Sequence, residues 1–454
     1  MRRLRRSIEN GFARLALLSI AATSGGSAYA AAPLSPVAHV TLLPVGQAWA
    51  RNSVNVAVFR NDPITTAGDQ QFVSYYDADG RVVIAQRKLG DTAWKTTVTD
   101  LAGDVTDAHN VISMIADGDG YLHLSWDHHG HPLRYARSNA PGSITFTKAD
   151  MTGQTEKNVT YPQFFTMPNG DLLFMFRDGE SGRGNLVINR YDTKAKTWSQ
   201  LHANLISGEN QRNAYWQACV DPKGSIHVSW VWRESGDVAS NHDVCYARSD
   251  DGGRTWKRSD GTAYALPITL ATAEIAAAVP QKQELINQTS MCTDTDGRPI
   301  IATYFRPVGA TIVQYFIVRH DGVAWKTIQT TQRKTPFSLS GGGSKAIPVS
   351  RPQVLARTIE GKTGVWVVFR DTERDNRVSM AGCDDVANPT WTTRDLTDFS
   401  VRYWEPSYDH VRWQRDGVLN LYVQTAGQGD GEGLEDVGPQ TAHVLEWKPP
   451  ANGE

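Results

Sequence analysis

Cysteine is scarce in this 454-residue chain. There are four, Cys219, Cys245, Cys292 and Cys383, too few and too widely spaced for the dense disulfide framework of a small secreted scaffold. Charge of one sign is lacking as well. The 46 Lys and Arg against 48 Asp and Glu leave a formal net charge of −2, which gives no basis for a nucleic-acid or anionic-membrane partner. Beyond residue 30 no apolar run is long enough to cross a bilayer as a helix. Helical periodicity is also sparse: AEIAAAVPQKQEL, residues 273–285, is the one stretch that reads as a short helix.

The first thirty residues have their own pattern. Arg2, Arg3, Arg5 and Arg6 precede the short apolar run LALLSIAA, and Ser-Ala-Tyr-Ala at 27–30 offers an A-x-A cleavage site. This order predicts a signal peptide over 1–30 and a periplasmic or secreted mature protein over 31–454, expected to be a soluble monomer.

The rest of the chain is filled by a repeat. Its unit is an apolar strand, a D/N-G turn, a strongly apolar strand, a polar loop and two further strands, the last often marked by Trp. The period of about 45–60 residues falls in the range of propeller blades. Copies begin at SVNVAVFR, DAHNVIS, YPQFF, YWQACV, NQTSMC, RPQVLA and EPSYDH. The seventh lacks an obvious fourth strand, and VAHVTLLPV, residues 37–45, is placed to supply it. The expected fold is therefore all-β: a single seven-bladed β-propeller over 31–454, its ring closed by the N-terminal strand so that no sheet edge is left open. SDDGGRTW, residues 249–256, matches an Asp box, a turn-forming motif without chemistry of its own.

Five of the twelve histidines (His109, His123, His128, His129 and His131) fall between residues 107 and 138. Imidazoles at strand ends suit proton transfer near neutral pH. Alternation in LHLSWDHH sends Leu122, Leu124 and Trp126 to one face and His123, Asp127 and His129 to the other. The rim formed by loops and strand ends from different repeats gathers Arg51, Asn110, His128, Tyr161, Arg177, Arg212, Tyr215, Asn287, Gln288, Arg351 and Glu405. Two reaction classes suit such a rim. One is β-elimination at a uronic acid, which needs a cation on the carboxylate, a base for the C5 proton and an acid for the O4 leaving group. The other is glycoside hydrolysis, which needs a carboxylate pair or a sialidase-like arginine cluster. A non-catalytic carbohydrate-binding propeller is a third reading. An acidic polysaccharide or oligosaccharide is the expected partner, and no organic cofactor is required.

DAHNVIS, LHLSWDHHGHPLRYARS, TYPQFF, FMFRDG, NHDVCYARSDDGG and LINQTSM together resemble the BNR-repeat family that contains the ulvan lyases of polysaccharide lyase families 24 and 25 and related rhamnosyl-glucuronate lyases. The resemblance covers nearly all of the chain after the signal segment. It implies a seven-bladed propeller and a lyase site built from His109, His129, Tyr161 and Arg177. Arg177 with His129 would neutralise the uronate carboxylate, while Tyr161 and His109 would share the base and acid work. Asn110, His128, Arg51, Arg212, Tyr215 and Arg351 would bind substrate. The resemblance also implies a structural zinc in some members, here with His242, Cys245 and Cys292 as ligands and His227 or Cys219 as the fourth.

Overall fold

The computed structural model describes residues 40–59 and 62–449, so the expected signal segment lies outside the described residues. The runs that alternate or concentrate Val, Ile, Phe and Tyr form strands, as side chains that pack well on a pleated surface should. Six sheets result, and they follow the repeat. The first, Ile64–Ala67, Gln70–Tyr76, Arg81–Lys88 and Lys95–Ala102, is a simple antiparallel meander. The fifth and sixth copies give similar meanders, Ser290–Gln329 and Gln353–Asp395. The largest sheet contains both the third and fourth copies, joined at a single parallel pair, Gly184 with Asn213.

The last copy holds two strands, Leu419–Val423 and Gln440–Trp447. The strand Val40–Ala48 pairs antiparallel with the second of these, from Val40 opposite Trp447 to Ala48 opposite Gln440. The N-terminal strand thus completes the C-terminal sheet, as the sequence predicted.

Residues 273–285 do not form a helix. Glu274–Ala277 is an edge strand that pairs with Asn241–Ser249. The alanine-rich run favours a helix locally, but the neighbouring strand offers backbone partners. The single α-helix among the described residues is His410–Asp416, too short to leave a periodic signature. Asp409 caps it by accepting from Arg412 N at 3.0 Å, and Gly417 closes it at φ 64°.

Six tryptophans, Trp216, Trp230, Trp232, Trp256, Trp404 and Trp447, are fully buried. Trp256 belongs to the Asp box, where Asp251 accepts from Ser249, Arg254 and Thr255, so the motif is a closed turn. Turn tips of neighbouring copies also touch. Gly118 N donates to Gly170 O at 2.9 Å, and a Cβ on Gly118 would lie 2.6 Å from Gly170 Cα, so the tips meet only as glycines.

One strand leaves its own copy. His129–His131 pairs not with the second sheet but with Val159–Thr166 of the third, His129 opposite Thr160. This crossing brings the histidine-rich stretch beside Tyr161.

Candidate functional site

A solvent-open cavity of about 1250 Å³ lies where loops of several copies converge, and His109, His129, Tyr161, Arg177 and Tyr215 all line it. The local backbone explains how Tyr161 arrives there. The ladder between Val159–Thr166 and Leu172–Glu180 slips between Thr160 and Gln163, a bulge of the kind that re-aims a side chain. Tyr161 sits at φ 59° immediately before Pro162, a combination disfavoured for a residue preceding proline. Such a conformation costs about 1–3 kcal/mol and concentrates at functional sites. The Arg177 guanidinium lies 4.9 Å from the Tyr161 ring centroid. Gly184 leaves room for it: a Cβ there would stand 2.9 Å from Arg177 Cδ.

Asp107 organises the histidines. His109 Nδ1 lies 2.8 Å from Asp107 Oδ1 and His129 Nδ1 lies 2.6 Å from Asp107 Oδ2. The two rings stack with centroids 4.0 Å apart. Both Nδ1 atoms are committed to the carboxylate, so Nε2 of each ring is the atom left for chemistry. Glu432 adds a second carboxylate 3.3 Å from His109 Nδ1. Burial pushes the His109 imidazolium toward losing its proton, but its hydrogen bonds to the Asp107 and Glu432 carboxylates outweigh it and hold the pKa up at about 9. Burial likewise opposes the charge on Asp107, yet the two histidines hold that carboxyl well below its usual range.

The opposite pole of the site is phenolic. Tyr215 packs 6.0 Å from Tyr161, with Arg233 over its ring at 5.2 Å and Ser181 Oγ 3.0 Å from its hydroxyl. Burial raises the Tyr215 pKa, but Arg177 and Arg233 overcome it and bring the value down to about 8. Tyr161 moves the other way, held up by burial and by the nearby Tyr215 charge. The two phenols thus face the same guanidiniums, and ionisation of one opposes ionisation of the other.

Several residues read from sequence as substrate-binding are committed elsewhere. His128 is fully buried; its Nε2 accepts from Arg134 N at 2.7 Å, and burial with Arg134 nearby lowers its pKa to about 3. The face assignment that aimed His129 outward turned its neighbour into the core. Asn110 is also buried and donates to Asp104 O at 2.9 Å. Arg212 is held by Glu234 at 2.8 Å and Glu209 at 2.7 Å, and Arg51 donates to Glu435 O at 3.1 Å; neither lines the cavity. Arg351 does line it, but as a bidentate partner of Glu405 at 2.6–3.0 Å.

Two of the expected zinc ligands, His242 and Cys245, have other surroundings. His242 lies between Asp243 and Glu234, each at 3.0 Å. His227 Nδ1 faces the Tyr246 hydroxyl at 2.7 Å. Cys245 is enclosed in an apolar cluster with Trp230 and Trp232, whereas Cys292 packs against a different cluster. Cys219, the alternative fourth ligand, pairs across the ladder with His227. Among the described residues the one trio of metal-donor side chains within 4.8 Å is Asp107, His109 and His129, whose Nδ1 atoms already face the carboxylate.

Asp107 and Glu432 were missed in the sequence. Asp107 had a signal, its D-x-H spacing to His109. Glu432 had none, since it is brought in from the other end of the chain.

The chain resembles several known proteins. The model of a family described as "BNR repeat-containing family member" matches residues 70–333. An ulvan lyase, long isoform, from Pseudoalteromonas sp. (strain PLSV) is 34% identical over 225 residues, which is 37% of this chain and 22% of that protein. An ulvan lyase from Alteromonas sp. (strain LOR) is 27% identical over 236 residues, 44% of this chain and 47% of that protein. The matched stretches thus span less than half of these relatives' own length. Among solved structures, polysaccharide lyase Uly1 shares the fold at 17% identity and TM-score 0.65, covering 90% of this chain and 99% of that one. A PL25 ulvan lyase bound to -[GlcA(1-4)Rha3S]- aligns at 15% identity and TM-score 0.64, covering 90% and 96%.

Proposed function

The chain belongs to the BNR repeat-containing family, and from that premise we propose that it is an exported polysaccharide lyase cleaving a rhamnose–uronate polymer such as ulvan by β-elimination. We read its sheets as seven blades of one propeller closed by Val40–Ala48. The antiparallel pairing of that strand with the last copy supports this, as does the fold shared with Uly1. Among the described residues no helix is long and apolar enough to cross a membrane.

One observation carries the catalytic reading. Arg177 is buried, and its Nε and Nη1 have no hydrogen-bond partner among the described residues, while it lies beside a strained tyrosine and faces the cavity. A buried guanidinium without partners is costly, and a carboxylate supplies the planar acceptor pair it lacks. A uronate bound there has its charge neutralised, which acidifies the C5 proton. Tyr215, the phenol of the pair that ionises near pH 8, takes that proton as its phenolate, while Tyr161, held protonated by burial and by the Tyr215 charge, orients the sugar beside His109. The C5 electron pair becomes the C4–C5 double bond as the C4–O4 bond breaks. His109 is protonated up to about pH 9 and gives its Nε2 proton to O4. His129 supports the carboxylate from the other side.

Hydrolysis is the weaker reading. The cavity's Glu405 is tied to Arg351 and Asp107 to both histidines, so among the described residues no free carboxylate pair is offered to a glycosidic bond.

The test is the ultraviolet absorbance of an unsaturated uronate on incubation with ulvan-type polysaccharide. The expected result is a rise in the wild type, reduced roughly 100- to 10,000-fold in Tyr161→Phe and His109→Ala. Reducing ends without that absorbance would contradict the proposal.

A further inference from the structure

The cavity wall carries a second unpaired group, with different needs from Arg177. Gln288 lines the cavity and is 2% exposed, and neither its Oε1 nor its Nε2 has a hydrogen-bond partner among the described residues. Its backbone is left-handed, φ 54°, although it is not glycine. Its neighbour Asn287 is different: the Asn287 Oδ1 accepts from Asn241 at 3.1 Å. Two costs therefore coincide at Gln288, an unpaired buried amide and a strained backbone. Such costs persist where a ligand or the surrounding fold offsets them.

The two orphan groups ask for different chemistry. Arg177 can only donate, and an anion satisfies it. Gln288 presents one acceptor and two donors. A carboxylate or sulfate would satisfy Nε2 but would set lone pairs against Oε1. A sugar hydroxyl both donates and accepts, and adjacent hydroxyls can pair both ends of the amide. We propose that Gln288 is a specificity-determining residue that reads a free, unsubstituted hydroxyl of the sugar held at Arg177, so that a sulfate ester or ether on that hydroxyl is rejected. The proposal rests on the uronate reading of the cavity and deepens it: the preferred substrate combines a carboxylate at Arg177 with free hydroxyls at Gln288. A buried polar group left unpaired by an analogue is the strongest form of such rejection.

The test uses calorimetric titration in a Tyr161→Phe background, which halts turnover. The probes are a glucuronate–rhamnose disaccharide with free hydroxyls and its O-methylated form, which keeps the carboxylate. Gln288→Met preserves length and shape without polarity. It should weaken binding of the free-hydroxyl probe roughly 10- to 100-fold while changing the methylated probe by less than about threefold. The melting temperature of the unliganded protein should hold or rise, because an unpaired buried amide has been removed. Unchanged affinity for the free-hydroxyl probe would overturn the proposal. So would a fall in melting temperature with equal losses for both probes, which marks a structural role. If the wild type binds the disaccharide with this selectivity but releases no unsaturated product from polymer, the lyase reading fails while the assignment of Gln288 stands.

Discussion

Two walls of the same cavity treat buried polar groups in opposite ways. On one wall Arg351 is gripped by Glu405 through its side chain and its backbone N, and Glu405 also accepts from Val58 N at 2.9 Å. Arg370, which also lines the cavity, donates to Ile347 O at 2.8 Å. Elsewhere in the lining Arg177, against a tyrosine in a strained conformation, and Gln288 keep buried polar atoms without partners among the described residues. The paired residues shape the cavity; the unpaired ones are those the proposed substrate would meet. Residue type does not distinguish them, since arginines occur on both. Pairing does.

Breaking a pair on the first wall should have the largest effect on stability. Glu405→Gln leaves the Arg351 charge buried and uncompensated, and should cost about 3–5 kcal/mol of unfolding free energy, measurable by denaturant titration. A loss below about 1 kcal/mol, the range of an exposed pair, would place Arg351 among the ligand-facing groups.

A change at the carboxylate under the open wall should act on the pH profile. Activity should rise as the phenol pair ionises near pH 8 and fall as His109 loses its proton above about pH 9. Asp107 is one of two carboxylates that hold the His109 pKa up, so Asp107→Asn should move the alkaline limb to lower pH and leave the acidic limb in place. A pH–rate series checks this, and an unmoved alkaline limb would remove His109 from the acid role.

The smallest effect is expected at Gly184. Gly184→Ala puts a methyl 2.6 Å from Asn213 Oδ1 and 2.9 Å from Arg177 Cδ and should displace both side chains, lowering kcat/KM roughly tenfold, since misplacement of about 1 Å can cost up to 100-fold. A null result would mean that Arg177 tolerates more freedom than an oriented carboxylate clamp should.

The strand pattern was legible because each strand carries its own alternation and each turn its own glycine. That His109, His129, Tyr161 and Arg177 line one cavity was legible because each sits in a short motif of the family resemblance. What separates the two walls was not. The Glu405 that neutralises Arg351 lies 54 residues away, and the Glu432 that touches His109 lies more than 300 away; a single sequence does not encode such distances locally. His128 and His129 are adjacent, and the backbone between strands, with Asp127 at φ 65°, decides which of them enters the core. The strand at Glu274–Ala277 was misread for a similar reason: its alanines favour a helix unless a neighbouring strand is close enough to pair.

On the proposed function, pairing and not charge marks the residues that meet substrate. Its most direct test measures elimination rate and melting temperature together for Arg177→Met and Arg351→Met. Arg177→Met should lose roughly 100- to 1,000-fold in rate with an unchanged or higher melting temperature. Arg351→Met should melt markedly lower, because Glu405 is left buried without its partner, while its folded fraction retains most of the activity. The reverse outcome, an active and unstable Arg177→Met beside a stable and inactive Arg351→Met, would contradict it.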